Sequence, residues 1–215
     1  MNRNTLHEGI DVSAWEGRID FQRVRDTGIR IVYIKATQGT DYVDPEFERN
    51  YREAIKADLA VGFYHYVTAR NETEARAEAH FFASHIRGKR QHARPAMDFE
   101  VFGDLTTPEI REISYEFLTT LEKETRHIPA LYSDASNAST HFADDRFRRY
   151  PLWIADYGVS RPDMENPWGR YSGWQYTDRG RVRGISGNGD RDHFRREILL
   201  DENVYLCEQP ESNSI

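Results

Sequence analysis

Cysteine is almost missing from this chain: Cys207 is the single one among 215 residues. No intramolecular disulfide can form, so the stability of the fold has to come from a buried core. Cys207 lies in the polar segment CEQPESNSI with no histidine nearby in sequence, which favours an inert thiol over a catalytic nucleophile. Long apolar runs are missing too. No stretch approaches the roughly 18 residues of a membrane-spanning helix, and we expect no membrane insertion.

Positive charge is in short supply. The chain has 29 Lys and Arg residues against 36 Asp and Glu, for a formal net charge of −7. Nucleic acid requires a basic surface, so we expect no nucleic-acid partner. The opening MNRNTLHEGIDVS lacks the apolar centre of a secretory signal peptide, and we expect this chain to carry none.

Glycine-rich phosphate-binding loops are also absent from the sequence, since neither GxGxxG nor GxxxxGK[ST] occurs. This disfavours an open doubly wound sheet, which is the main alternative architecture. The histidines His80, His85 and His92 do not have the spacing of a metal site. The sequence therefore offers neither a phosphate-binding loop nor a histidine zinc site, and we expect no cofactor.

What the sequence does contain is an alternation of apolar, strand-like runs with amphipathic segments. Three of these segments begin with helix N-terminal signals, at Asp44, Asn71 and Thr107. The predicted helices cover 44–57, 71–86 and 107–126, and the predicted strands cover 9–14, 29–37, 59–67, 94–101, 128–134, 151–158, 171–177 and 189–194.

Strand–helix–strand repetition predicts a parallel sheet with right-handed crossovers. Eight strands then predict an α/β fold, a TIM-like (β/α) barrel. The chain is short for that fold, and the shortage falls late, where loops such as SRPDMENPWGR stand in place of helices. We predict about five helices and a degenerate last third. Residues 1–215 are expected to form one domain and a monomer, with the core at about 9–196 and a C-terminal extension or tail at 197–215.

Two carboxylates interrupt the apolar run RPAMDFEVF. Because side chains alternate along a strand, Ala96, Asp98 and Glu100 share one face, and Met97 and Phe99 share the other. In a barrel the apolar pair should face the helices. The two acids should face the lumen at the C-terminal end of the strand, where barrel enzymes hold their active sites.

The same alternation places Asp11 of GIDVS on the lumen side of the first strand, and GDRDHF brings Asp190 and Asp192 near the end of the last strand. First and last strands are neighbours in a closed barrel, so up to four acids converge on one mouth. Repulsion and desolvation raise carboxyl pKa values, which suits the general acid of glycoside hydrolysis. Hard oxygen ligands for a divalent metal ion are a second use. Solvated acids paired with Arg94 and Lys35 are the alternative without a catalytic role.

Taken together, these motifs resemble those of glycoside hydrolase family 25, the N-acetylmuramidase lysozymes of the Chalaropsis type, over about residues 9–196. GIDVSAWEGRIDFQRV is similar to the family opening, G-x-D-x-S followed by W-x-G-x-I-D. YIKATQGTDYVDPEFERNYREAIKADLAVGFYHY resembles the K-A-T-E-G segment, the D-x-x-F-x-x-N helix and the G-x-Y-H strand. PAMDFE resembles the P-x-x-D-x-E strand, and IPALYSD, PLWIADYG and WQYTDRGRVRGISGNGDRDHF follow in family order.

The resemblance implies an eight-stranded barrel with five helices that hydrolyses the β-1,4 bond between N-acetylmuramic acid and N-acetylglucosamine in peptidoglycan, without a metal. By position, it implies that Glu100 is the general acid and Asp98 its partner, and that Asp11 and Asp190 complete the catalytic cluster. It also implies contacts between the substrate and residues of the matched motifs, with ordinary barrel packing as the alternative for each. These are Tyr64, Tyr132, Trp153, Tyr157 and Gln175.

The last strand departs from the family pattern. GDRDHF stands where the family has V-D-x-N-x-F, so Gly189 replaces an apolar residue and Asp192 replaces the usual Asn. We expect Asp192 to add a charge to the rim of the site.

The predicted function is that of a lysozyme acting on peptidoglycan in the bacterial cell wall, extracellular or periplasmic. The export route is open between a phage holin, a secretion machine and a removed signal. Two alternatives are a chitinase-like hydrolase of N-acetylglucosamine polymers and a non-catalytic glycan-binding barrel. A D-x-E pair on one strand favours assistance by the substrate's own acetamido group over simple double displacement.

Overall fold

The computed structural model describes residues 5–200, and its strands close into a barrel. Within these residues, eight strands form a ring because β1 pairs with both β2 and β9, while the two-residue β3 pairs only with β2. Five α-helices accompany them in the same part of the chain, so the predicted barrel with eight strands and about five helices is confirmed. The strands are β1 His7–Val12, β2 Ile31–Gln38, β3 Tyr42–Val43, β4 Ala60–Tyr66, β5 Ala96–Asp98, β6 Ala130–Asp134, β7 Leu152–Ala155, β8 Gly173–Gly180 and β9 Gly189–Phe194; the helices are α1 Phe21–Arg25, α2 Phe47–Lys56, α3 Glu72–Ile86, α4 Thr107–Thr125 and α5 Ala135–Thr140.

The last barrel strand runs against its neighbours. β9 is antiparallel to both β8 and β1, whereas the other neighbouring pairs of the ring are parallel. The prediction of a fully parallel sheet is therefore wrong at β9. Only residues 181–188 join β8 to β9, and a parallel crossover needs a dozen residues or more. As a result, the first residues of β9 lie at the end of the barrel where the parallel strands finish.

Helix α3 begins at its predicted capping residue, Asn71, whereas the cap of α4 is Thr106, one residue before the predicted start. The side chain of Asn71 accepts a 3.0 Å hydrogen bond from the backbone N–H of Glu74 at the start of α3. At the start of α4, Glu109 accepts a 2.8 Å hydrogen bond from the backbone N–H of Thr106, one half of a capping box. Within residues 5–200, no helix combines the length and the apolar character needed to cross a bilayer.

The interior of the barrel is filled by aromatic rings rather than left open. Tyr33, Trp153 and Phe194 pack together with ring centroids 4.7 to 5.4 Å apart. Two glycines make room for them: a Cβ at Gly62 would lie 2.6 Å from the Tyr33 ring, and one at Gly173 would lie 2.7 Å from Trp153. Burial of each ring contributes on the order of 2 kcal/mol, and together they form a closed floor.

The end of the barrel opposite the mouth is closed by residues just after β9. Ile198 and Leu199 are buried, Leu199 forms a β-bridge with Ala93, and the backbone N–H of Leu200 donates to the carbonyl of His92 at 2.9 Å. The first residues of the predicted C-terminal extension or tail at 197–215 therefore pack against the core through their apolar side chains. The remainder, 201–215 with Cys207, lies outside the described residues, and one domain for 1–215 stays a prediction.

Candidate active site

A cavity of about 310 Å³ opens where the parallel strands end. Its walls bring together all nine residues that the sequence predicts for the site. Those residues are Asp11, Tyr64, Asp98, Glu100, Tyr132, Trp153, Tyr157, Gln175 and Asp190, and Lys35 and Tyr66 complete the lining.

Asp98 and Glu100 differ in how they are held. Asp98 is the buried last residue of β5, and its carbonyl accepts from the backbone N–H of Val67 at 2.7 Å. Glu100 lies two residues beyond the strand and is exposed at the mouth. The two acids therefore do not share a strand face as predicted, because β5 is only three residues long within the described chain. Both still line the cavity, and their carboxyl groups lie within hydrogen-bonding reach of each other.

The pKa values of Asp98 and Glu100 are both raised above those of ordinary carboxyl groups. Burial, and then the negative charge of Glu100, raise the pKa of Asp98 well above its usual range. Burial also raises the pKa of Glu100, helped by the charge of Asp134, while the hydrogen bond to Asp98 and the charge of Lys35 oppose the shift. Because the charge of one carboxylate disfavours ionisation of the other, the pair keeps its last proton to a higher pH than an isolated carboxyl group would.

A second group of acids forms where β1 meets β9. Asp11 is buried and lies within hydrogen-bonding reach of both Asp190 and Asp192. Burial, and then the charges of Asp192 and Asp190, raise the pKa of Asp11 well above its usual range. Burial, and next the charge of Glu16, raise the pKa of Asp190 to about 6.

Asp192 does not reach the rim. It is fully buried, and one of its oxygens accepts a 2.8 Å hydrogen bond from the indole N–H of Trp153. The expectation of an added rim charge is therefore wrong. β9 enters at the mouth and runs inward, so alternation carries Asp192 one step deeper into the lumen than Asp190. Burial raises the pKa of Asp192 well above its usual range, although the Trp153 hydrogen bond lowers it.

Gln175 joins three residues of the site. Its side-chain oxygen accepts from the hydroxyl groups of Tyr132 at 2.8 Å and Tyr157 at 2.5 Å, and its amide nitrogen donates to Asp11 at 2.8 Å. Gln175 is 3% exposed. Its hydrogen-bonding groups are thus occupied by protein partners, which suits a residue that positions Asp11.

The five predicted substrate-contact residues differ in accessibility. Tyr132, Trp153 and Gln175 are buried, whereas Tyr64 is half-buried and Tyr157 is 46% exposed. Tyr64 and Tyr157 therefore keep the ring surface that a sugar could touch, while the buried three shape the cavity beneath.

Lys35 and Tyr66 line the cavity without being among the predicted site residues. The Lys35 ammonium donates to the side chain of Gln38 at 2.8 Å and lies 4.9 Å from the centroid of the Tyr66 ring. Burial lowers the pKa of Lys35, while the charges of Asp98, Asp44 and Glu100 raise it. Alternation along IRIVYIKAT and AVGFYHY places both side chains on the lumen side, and that signal could have identified them.

The cavity continues into a groove. A neighbouring cavity of about 660 Å³ shares Glu100, Tyr132 and Tyr157 with the first one and extends along the loops after β6 and β7, past Asp134 and Asp156. The site is thus open on that side, as a cleft for an elongated molecule would be. Across residues 5–200, no group of three or more His, Cys, Asp or Glu side chains has an arrangement suited to a metal ion.

Known proteins resemble this chain in both sequence and fold. The sequence model of glycosyl hydrolases family 25 matches residues 10–185. The autolytic lysozyme of Clostridium acetobutylicum is 34% identical over 204 residues, which cover 93% of this chain and 59% of that protein. Lysozyme M1 of Streptomyces globisporus is 34% identical over 199 residues, covering 87% of this chain and 67% of that protein. This chain thus spans roughly three fifths to two thirds of the length of these relatives.

A solved structure agrees with them. The bacterial lysozyme of Streptomyces coelicolor superposes with a TM-score of 0.77 at 31% sequence identity, covering 89% of this chain and 93% of that one. Because the family model spans most of the barrel and a relative above 30% identity covers nearly all of the sequence, the chain belongs to glycosyl hydrolases family 25.

Proposed function

We propose that this chain is a muramidase that hydrolyses the β-1,4 bond between N-acetylmuramic acid and N-acetylglucosamine in peptidoglycan. The observation that carries the proposal is the close approach of the Asp98 and Glu100 carboxyl groups in the wall of an open groove, where both pKa values are raised. Glycoside hydrolysis needs one carboxyl group that donates a proton and a second that stabilises positive charge. The family membership and the lysozyme names of its relatives support the same activity.

In this mechanism the shared proton leaves through Glu100, the member of the pair that faces solvent at the mouth. Glu100 donates to the glycosidic oxygen as the bond from that oxygen to the anomeric carbon breaks. The acetamido oxygen of the substrate attacks the anomeric carbon and forms an oxazolinium-like ring. Asp98 is left ionised and stabilises the positive charge of that ring. Water then adds to the anomeric carbon as the bond from that carbon to the acetamido oxygen breaks, which restores the acetamido group, and one proton of the water returns to the pair.

The other groups set up this step. Lys35 favours the ionised form of Asp98 by its charge. We assign Asp11, which Gln175 orients, and Asp190 to positioning the attacking water at the mouth. No step requires a metal ion. The site of action is the bacterial cell wall, with the glycan strand as partner and the chain acting as a monomer.

The test is lysis of purified peptidoglycan, followed as turbidity loss, by the wild type and by Glu100→Gln. We expect Glu100→Gln to lose at least about a hundredfold in rate, since a general acid contributes roughly that much or more. Glu72→Gln, which changes an exposed glutamate in the first turn of α3, is the matched control and should keep full activity. Full lysis by Glu100→Gln would overturn the assignment of the acid.

Product analysis separates the alternatives. Mass spectrometry should find N-acetylmuramic acid at the new reducing ends. Release of reducing ends from chitin oligosaccharides but not from peptidoglycan would instead indicate a chitinase-like enzyme. Binding of peptidoglycan with no reducing ends released would indicate a non-catalytic barrel, and either result would overturn the proposal.

A further inference from the structure

Large apolar side chains that remain exposed are concentrated at one end of the barrel. In the part of the chain that the structure describes, the seven such residues with the greatest exposure include Leu6, which precedes β1 at the opposite end. The other six follow β1, β2, β5 or β7 on segments that leave the mouth. They are Trp15, Tyr42, Val43, Val101, Tyr157 and Val159. Exposed apolar surface gathered around a cleft indicates a binding surface rather than scattered solvent exposure.

Trp15 is the extreme case, because 94% of it is exposed. Its backbone is nevertheless held firmly. The Trp15 N–H donates to the Ser13 hydroxyl at 3.1 Å, and Glu16 accepts from the Ser13 N–H at 2.7 Å. The neighbouring N–H of Ala14 donates to the buried carboxylate of Asp44 at 2.9 Å. Because the backbone beneath the exposed indole is already held in place, binding does not incur the entropy cost of ordering that backbone.

The position of Trp15 relative to the groove follows from the order of the strands. Around the ring, three strands lie between β1 and β6 in either direction, so the segments that follow them lie on opposite sides of the mouth. Trp15 follows β1, whereas the larger cavity lies along the loops after β6 and β7. Trp15 therefore lies on the side of the mouth away from that cavity.

The two cavities meet at Glu100 and form one continuous groove. Glu100 belongs to both cavities, so the acids lie between the two ends of the groove rather than at one of them. The charge of Glu16, next to Trp15, acts on both Asp190 and Tyr64, which places this segment beside the acidic cavity. A chain of sugars that spans the groove would therefore continue past the acids toward Trp15.

We propose that Trp15 is a sugar-stacking residue, which holds a pyranose ring of the same glycan strand beyond the two rings that flank the cleaved bond. The C–H groups on one face of a pyranose are apolar, and an indole offers a large, rigid apolar surface for them. Tyr42 and Val43 of β3, which pairs with the strand next to β1, are further exposed apolar side chains at this end of the barrel. The proposal rests on glycan hydrolysis as the function of the site.

The test measures binding without turnover. Glycan fragments from peptidoglycan, one disaccharide and one hexasaccharide, are titrated by calorimetry into Glu100→Gln and into the same chain with Trp15→Ala added. We expect the hexasaccharide to bind about three- to tenfold more weakly after loss of the indole, with disaccharide binding unchanged. Trp15→Phe should restore part of the loss. Leu6→Ala, an exposed apolar residue at the other end of β1, is the matched control and should change neither affinity.

A second measurement needs no substitution at Trp15. All four tryptophans lie in the described part of the chain, and Trp153, Trp168 and Trp174 are buried or half-buried. Acrylamide therefore quenches mainly the emission of Trp15, and the hexasaccharide should protect it whereas the disaccharide should not. Equal hexasaccharide affinity with and without the indole, or equal loss for both fragments, would overturn the proposal. The proposal would also be overturned if the chain self-associates in sedimentation and Trp15→Ala converts it to a monomer. The partner of the Trp15 surface would then be a second copy of the chain.

Failure of the two proposals is distinguishable. Release of reducing ends by the wild type tests glycan hydrolysis alone, and the length dependence of binding in the Glu100→Gln background tests Trp15 alone.

Discussion

Trp153 donates its indole N–H to Asp192 across a distance of 2.8 Å, and both side chains are sealed inside the barrel. The second oxygen of Asp192 has no donor among the described groups, apart from a proton that it can share with the neighbouring carboxyl group of Asp11. A buried carboxylate with one donor is costly. The barrel therefore contains a local destabilisation directly beneath its candidate catalytic acids.

Replacement of Asp192 by Asn should stabilise the protein. The amide oxygen can keep the Trp153 hydrogen bond, and the amide nitrogen can donate to Asp11. We expect Asp192→Asn to raise Tm at pH 7.5 by about 2–8 °C, the equivalent of roughly 1–2 kcal/mol in a domain of this size. Thermal unfolding followed by circular dichroism measures it. A lower Tm at pH 7.5 would instead mean that the carboxyl group of Asp192 stabilises the folded protein better than an amide does.

Stability should also fall as the pH rises from 5 to 7.5. Burial raises the pKa of Asp190 to about 6, and it raises those of Asp11, Asp98 and Asp192. A carboxyl group whose folded pKa exceeds its unfolded pKa binds more protons in the folded state, so stability is lost between the two values as the pH increases. Urea unfolding should report a loss of at least about 1 kcal/mol across this interval. Asp190→Asn should flatten the dependence near pH 6, and an unchanged slope would contradict the assignment.

The charge of Lys35 should set the pH range of lysis. It lowers the pKa values of both Asp98 and Glu100, so its removal in Lys35→Met raises them further. Asp98 would then ionise only at higher pH. We expect the acidic limb of the kcat/KM profile to move to higher pH, and the rate at pH 6 to fall about tenfold. Lys35→Arg keeps the charge and should stay close to the wild-type profile. A uniform loss at every pH would point instead to a binding role for Lys35.

The sequence was sufficient to predict the faces of the strands but not their directions. Alternation placed Asp98 and Asp11 on the lumen side correctly, because a buried strand leaves its side chains only two faces. It could not show that β9 turns back, since the eight-residue link 181–188 resembles any other loop in composition. The location of Asp190 at the mouth was nevertheless right, because an antiparallel strand brings its first residues to the place where a parallel one would bring its last.

The hydrogen-bonding partners of the side chains could not be predicted from the sequence. Tyr132, Trp153 and Gln175 line the cavity as predicted, but their polar groups are engaged with Gln175, Asp192 and Asp11. Such hydrogen bonds join residues far apart in the chain, and no local pattern encodes them. Their roles in substrate contact, and those of Tyr64 and Tyr157, remain predictions.

The pairing of β1 with β9 has a consequence for how the protein is made. Glu8 on β1 accepts a hydrogen bond from Arg191 on β9 although they are 183 positions apart in the chain, and β9, which completes the ring, is the last of the described strands to be synthesised. Contacts of such long sequence separation form late, because the intervening chain has to be ordered before they can stabilise anything. The acids of β1 and β9 therefore meet only when the ring closes, so a nascent or unfinished chain does not possess the complete acidic cluster.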